Sequence, residues 1–239
     1  MSVSLVEEQD LMAMPFTMSD RIRHMREELL QTVPRVCTER ARIYTRVYRS
    51  FEGDPPILRR ARALSRTLDE MSIMIFRDEL LVGNQASQIR GAPIFPEYSS
   101  DWIEEEIDQF ARRPGDVFEI TEEDKQILLS EVLPYWKGRT LYDRAMNIIP
   151  EFVKKAQEIG VISGRGNITS GDGHLIVHFE KVLRLGLRGI IEETRRHMEA
   201  LSEGDPFYLK KQVFYQSVLL VLEAAIRFAH RYAQLLTLE

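Results

Sequence analysis

Prolines cut this chain into short segments, and that punctuation limits its fold more than any motif does. A proline inside a helix removes a backbone donor and crowds the preceding turn, and in the middle of a sheet it breaks the ladder. Between the prolines, most segments carry apolar residues three or four apart, the period of a helix with one buried face. Ser19 is placed to cap a helix running to about Thr32, with Ile22, Met25 and Leu29 on one face. After Pro34, Thr38 can cap a second helix, in which Ala41, Tyr44, Val47 and Tyr48 share a face up to Gly53. Pro55 and Pro56 open a third, with Ile57, Ala61, Leu64 and Leu68 as its buried stripe and Arg59, Arg60, Arg62 and Arg66 outside.

At Ser72 the pattern changes. IMIFRDELLVGN reads as a short extended segment near 72–83 with a turn at Gly83-Asn84, and Pro93 and Pro96 make the next stretch an irregular loop with no helix or central strand. Helical spacing returns at Trp102, Ile103, Ile107 and Phe110, capped by Ser100 or Asp101 and ending near Pro114-Gly115. Thr121 starts another helix, whose residues Glu122, Glu123 and Asp124 suit the positive helix terminus, and which is expected to stop before Pro134. Two shorter helices come next over 140–158, broken at Pro150. The stretch GVISGRGNITSGDGH is glycine-rich and irregular, able to bend sharply and to let backbone approach something closely. Phe179 to Leu201 is amphipathic, with Val182, Leu183, Leu187, Ile190 and Ile191 apolar. The last helix, Phe207 to about Leu236, is apolar around much of its circumference and calls for neighbours. The spacing therefore predicts a mainly α chain with residues 1–18 as a loosely ordered tail. That LLTLE directly follows the last helix reads as an interruption.

A net charge of −5 sets aside nucleic acid, whose recognition rests on a clustered positive surface. No apolar run approaches the roughly 20 residues of a spanning helix, and the acidic start MSVSLVEEQDLMAMPF is unlike a secretion signal, so a cytoplasmic protein without a membrane partner is expected. The single Cys37 excludes a disulfide framework and a multi-cysteine metal site. Arg35, Arg40 and a helix start could favour its thiolate, but no histidine accompanies it in sequence, and the expected role is packing. GRGNITSGDGH lacks the Lys-Ser/Thr of a phosphate-binding loop. His174, beside Asp172, could orient a hydroxyl or carboxylate or shuttle a proton; spacing alone favours the plainer role of tying the loop together through a backbone carbonyl. His174 and His178 are four apart, as helical metal ligands often are, yet Gly173 argues against a helix there and no Glu lies between them, so no metal is expected. The acidic runs at 104–106 and 122–124 fan around their helices as solvated faces.

Several ordered blocks carry a resemblance that single motifs do not: VCTERARIYTRVYRSFEGDPPILRRARAL from 36, FRDELLVGNQAS from 76, and IRGAPIFPEYSSDWIEEEIDQFARRPGDVFEITEED from 89. LPYWKGRT from 133, GNITSGDGHLIVHFEKVLRLGLRGII from 166 and the closing RFAHRYAQL continue it. Together they resemble the N-terminal portion of glycyl radical enzymes, in the branch of B12-independent glycerol dehydratase and pyruvate formate-lyase-like proteins.

The resemblance implies the outer helices of a ten-stranded α/β barrel, with residues 1–239 forming part of one pyruvate formate-lyase-type domain. It implies a glycyl radical near the complete enzyme's C-terminus, installed by a radical-SAM activating enzyme and passed to a barrel cysteine. Both radical residues belong to regions downstream of this sequence, and Cys37 matches a helical region instead, so the chain is expected to be inactive alone and to bind no cofactor. GDGH matches a substrate-pocket histidine in diol dehydratase-like members, which makes His174 the substrate-binding candidate, with Asp172 and Ser170 beside it. Ser170 and Asp172 depart from the glycerol enzyme, which leaves the substrate, a small polar organic molecule, open. The implied partners are the remainder of the enzyme or a separate barrel-bearing chain, the activating enzyme and further copies of the complete protein. A non-catalytic helical scaffold is the rival reading.

Overall fold

The computed structural model describes residues 18–86, 88–162 and 175–237. Helix α1 is Asp20–Gln31, strand β1 Arg35–Cys37, α2 Glu39–Ser50, α3 Pro56–Glu70, β2 Gly91–Pro93 and α4 Asp101–Glu106, followed by a 3-10 turn at Phe110–Arg112. Helix α5, Glu122–Ile127, runs through a π turn at Leu128–Val132 into α6, Leu133–Trp136. Then come α7 Leu141–Ile148, α8 Glu151–Glu158, α9 Phe179–Glu199 and α10 Tyr208–Leu236. The chain is mainly α, as the apolar spacing predicts.

Capping follows the sequence in part. The Ser19 hydroxyl accepts the Ile22 N–H at 3.4 Å, and Thr121 accepts that of Asp124 at 3.0 Å. Thr140 and Asp143 form a reciprocal capping box at the start of α7. Thr38 stands at the N-terminus of α2 without capping it; its hydroxyl donates to Asp124 Oδ1 at 2.6 Å and ties α2 to α5 instead.

The core lies between α2, α3 and the 94–136 region, where Tyr44, Val47, Ala63, Ile103, Phe110, Leu128, Val132 and Trp136 are buried together. Each such Val, Leu or Phe side chain contributes about 1.5–3 kcal/mol. Helix α3 has α2 on one flank and α10 on the other, and α9 packs on α10. This corrects the stripe expected on α3. Ala61 is buried as expected and Leu68 half-buried, but Ile57 and Leu64 are exposed and Ala63, Ser65 and Thr67 are buried, because a helix covered on two flanks needs small side chains on both. Arg227 of α10 pairs with Asp69 at 2.8 Å, and Arg231 donates to the Leu68 and Met71 carbonyls at 2.6 Å, satisfying the C-terminal end of α3.

Several expectations fail for identifiable reasons. The 72–83 segment is irregular and belongs to no strand; the ladder is parallel, Arg35 to Gly91 through Cys37 to Pro93, with a single bridge from Arg35 to Glu119. Pro93 is tolerated because it ends a short strand of a two-stranded sheet. Gly91 is required there, since a Cβ would stand 2.6 Å from that of Ala86. The helix from Thr121 also continues past Pro134. The π turn lets Leu133 N–H reach the Leu128 carbonyl, and Pro134 then falls in the opening turn of α6, where no donor is needed. Gly186, at φ 63° and ψ 174°, kinks α9 where one continuous helix is expected.

Helix α10 corrects the expectation that no segment is long and apolar enough to span a membrane. It is 29 residues long with a mean hydropathy of 1.3 in its most apolar stretch, enough by length and composition to cross a membrane. Three of its charged residues are nevertheless held by neighbouring helices: Arg227 and Arg231 by α3, and Glu223 by Arg195 of α9 at 2.8 Å.

Candidate functional site

The three candidate substrate residues, His174, Asp172 and Ser170, lie outside the described residues, as does residue 17 and everything before it in the expected N-terminal tail. The frame at both ends of 163–174 is described. Helix α8 and Val161-Ile162 lead in; Leu175, Ile176 and Val177 lead out to α9. This frame is apolar and uncovered. Leu175 is 90% exposed and Ile176 89%, and Ile148, Phe152, Ile159 and Leu183 are exposed as well. Isolated exposed apolar residues are ordinary, but Leu175, Ile176 and Val177 are exposed in succession.

His178 has a definite task. Its Nδ1 accepts the Lys181 N–H at 3.2 Å and so caps α9. Among the described residues no group of three or more His, Cys, Asp or Glu side chains is placed to hold a metal ion.

Cys37 sits buried in β1. Burial pushes its thiol pKa up, a bond with the Glu39 backbone opposes this, and the carboxylates of Glu39 and Asp124 add to the rise. The two arginines that could have favoured a thiolate are engaged elsewhere, Arg35 with Glu119 and Arg40 with Glu97. The packing role expected from sequence is what the geometry supports. Iodoacetamide at neutral pH should leave Cys37 unmodified in the folded protein and alkylate it in denaturant; rapid labelling of folded protein would refute the assignment.

The most enclosed electrostatic unit is one that sequence reasoning missed. Arg40 forks onto Glu97 at 2.5 and 3.1 Å, with side chains only 14% and 7% exposed. The guanidinium is held between the Tyr44 and Phe95 rings, 3.8 and 3.9 Å from their centroids. Glu97 and Tyr98 in turn offer their carbonyls to the Leu141 and Tyr142 N–H groups, both at 2.9 Å, so the pair fixes the 94–98 strap that seats α7. No spacing rule joins residues 57 apart.

Burial also pushes the Tyr44 hydroxyl up to about 12, against the opposing charge of Arg40 and with a further rise from Glu97. The folded chain therefore keeps a proton that the unfolded chain releases near pH 10, so stability is complete below pH 10 and falls as pH rises toward 12. Two pKa units correspond to about 2–3 kcal/mol. Urea unfolding between about pH 9 and 12 should show this loss, and Tyr44→Phe should shrink it; identical slopes would remove Tyr44 from the account.

Comparison with known proteins agrees with this architecture. The family model described as pyruvate formate lyase-like matches residues 16–237. "Probable dehydratase YbiW" of Escherichia coli K12 is 42% identical over 92% of this chain, but over only 27% of its own length. (2S)-3-sulfopropanediol dehydratase of Klebsiella oxytoca is 31% identical, over 90% of this chain and 26% of its own. Among solved structures, the glycerol-bound B12-independent glycerol dehydratase from Clostridium butyricum superposes with a TM-score of 0.86 at 37% identity, over 91% of this chain and 28% of that one. A structure describing 1,2-propanediol dehydration in Roseburia inulinivorans gives a TM-score of 0.87 at 34% identity, over 92% and 27%. The chain spans about a quarter of the length of the relatives it matches. It belongs to the pyruvate formate lyase-like family of glycyl radical enzymes and corresponds to the helical N-terminal portion of their fold.

Proposed function

We propose that this chain is the outer helical layer of a cytoplasmic glycyl radical dehydratase or lyase, and that it presents the 163–174 loop to a small, hydroxyl-bearing organic substrate. The observation that carries this reading is the mismatch in coverage, 92% of this chain against 27% of its dehydratase relative. The exposed apolar residues that flank 163–174 in sequence support it. The barrel cysteine, the radical glycine and its radical-SAM activating enzyme come from outside these 239 residues. The barrel can reside in the same polypeptide or in a second chain, and the complete protein self-associates. In this reading His174, with Asp172 and Ser170 beside it, hydrogen-bonds a substrate hydroxyl.

The test is the intact mass of the product from its native host grown without oxygen, with whatever co-purifies. A mass well above 27.8 kDa, or a barrel-bearing partner, upholds the reading. A radical-free 27.8 kDa monomer with no partner, no dye-binding apolar surface and a sharp cooperative melt overturns it in favour of a scaffold. In the complete enzyme, His174→Ala should lower kcat/KM about tenfold or more while the glycyl radical still forms. Unchanged kinetics would reduce His174 to a loop tie.

A further inference from the structure

Four arginines line one groove. The groove holds about 360 Å³ and is lined by Arg59, Arg60, Arg139 and Arg144, with Tyr48 and the first turn of α3 at Ile57. Its one acidic lining residue, Glu97, is already engaged by Arg40. Arg59 lies over the Tyr48 ring at 4.8 Å and donates to the Glu52 carbonyl at 3.3 Å, but its buried Nε has no partner. Arg60 engages the Tyr48 hydroxyl. Arg139 pairs with Glu52 at 2.5 Å, and Arg144 forms no ion pair among the described residues. Cationic groups therefore exceed the acidic groups that answer them. In a 29%-charged chain carrying a net charge of −5, such a pocket of one sign stands out from the surroundings.

The backbone adds to this. Helix α3 is 15 residues long, begins at the groove and has Pro55 at its N-cap with no side chain bonding its first N–H groups. An open helix start of that length favours negative charge. The planar fork of each guanidinium matches the oxygens of a tetrahedral oxyanion better than an ammonium would. The volume exceeds that of a bare inorganic ion. We propose that the groove between α3 and α7 binds the phosphoryl group of a small phosphate monoester.

Calorimetric titration of the full 239-residue chain at fixed ionic strength tests this, using glycerol 3-phosphate and inorganic phosphate as probes and acetate as control. Saturable one-to-one binding of the monoester is expected, with phosphate weaker and acetate undetected. Arg144→Ala and Arg60→Ala should each weaken the monoester about tenfold or more, and Arg60→Lys should recover only part of the loss. Arg66→Ala, whose side chain is 61% exposed and outside the groove, should change nothing. Matched far-UV spectra and melting curves separate lost binding from lost folding. No saturable heat, equal binding of acetate, or equal weakening by Arg66→Ala would overturn the proposal. So would binding by this chain that disappears in the complete enzyme, which would assign the arginines to a carboxylate of the remaining fold.

Discussion

Replacing Glu97 by alanine should cost the fold about 3–5 kcal/mol, the range for removing one member of a buried ion pair. The cost arises from Arg40. Its guanidinium stays pinned between Tyr44 and Phe95 with little water to turn to, and among the described residues it keeps the Tyr44 side chain and a 3.4 Å bond to the Ile94 carbonyl, neither of which answers its charge. The 94–98 strap loses its anchor with it, and α7 its seat. Replacing both partners, Arg40→Met with Glu97→Leu, should be milder than the single change, because no orphaned charge remains. Urea unfolding of the three variants decides the matter: a Glu97→Ala loss below about 1 kcal/mol would mean that water reaches Arg40 after all.

Trp136→Ala should be comparably severe, about 3–5 kcal/mol. The indole is 2% exposed, lies 4.9 Å from the Tyr48 ring centroid and 5.2 Å from that of Tyr135, and donates its N–H to Thr45 Oγ1 at 2.8 Å. Trp136→Phe separates packing from polarity. It keeps a ring and removes the donor, while Thr45 still donates to the Ala41 carbonyl, so the expected loss is about 1 kcal/mol plus the smaller ring's gap. Phe as damaging as Ala would place most of the energy in the hydrogen bond.

The features legible in the sequence are those that depend on neighbours in the chain. Ser19 and Thr121 cap where their spacing says, Pro150 divides two short helices, and α10 has the length its apolar run implies. The features hidden from it depend on residues far apart. The burial of Ala63, Ser65 and Thr67, with Ile57 and Leu64 left exposed, follows from α10 lying on the second flank of α3, which no local period encodes. The strand at Pro93 exists because residues 35–37 arrive beside it, and the passage through Pro134 exists because the π turn shifts the hydrogen-bond register just ahead of it. At the candidate sites, the packing role of Cys37 is legible from the lack of a partner base. The Arg40 and Glu97 pair is hidden, since Arg40 reads only as a neighbour of Cys37 and Glu97 as part of an irregular loop. His174, Asp172 and Ser170 rest on the family resemblance.

The double-sided packing of α3 also sets a clock. Asp69 and Arg227, which join α3 to α10, are 158 residues apart. At roughly 5–20 residues per second, a ribosome needs on the order of 10–30 s to make the intervening chain. Throughout that interval α3 can close against α2, its near neighbour in sequence, but the flank bearing Ser65 must wait. Ser65 and Asp69 on the waiting face are polar and give nascent polypeptides little to adhere to, so the residues that receive α10 in the finished fold also help keep the half-made one from binding the wrong surface.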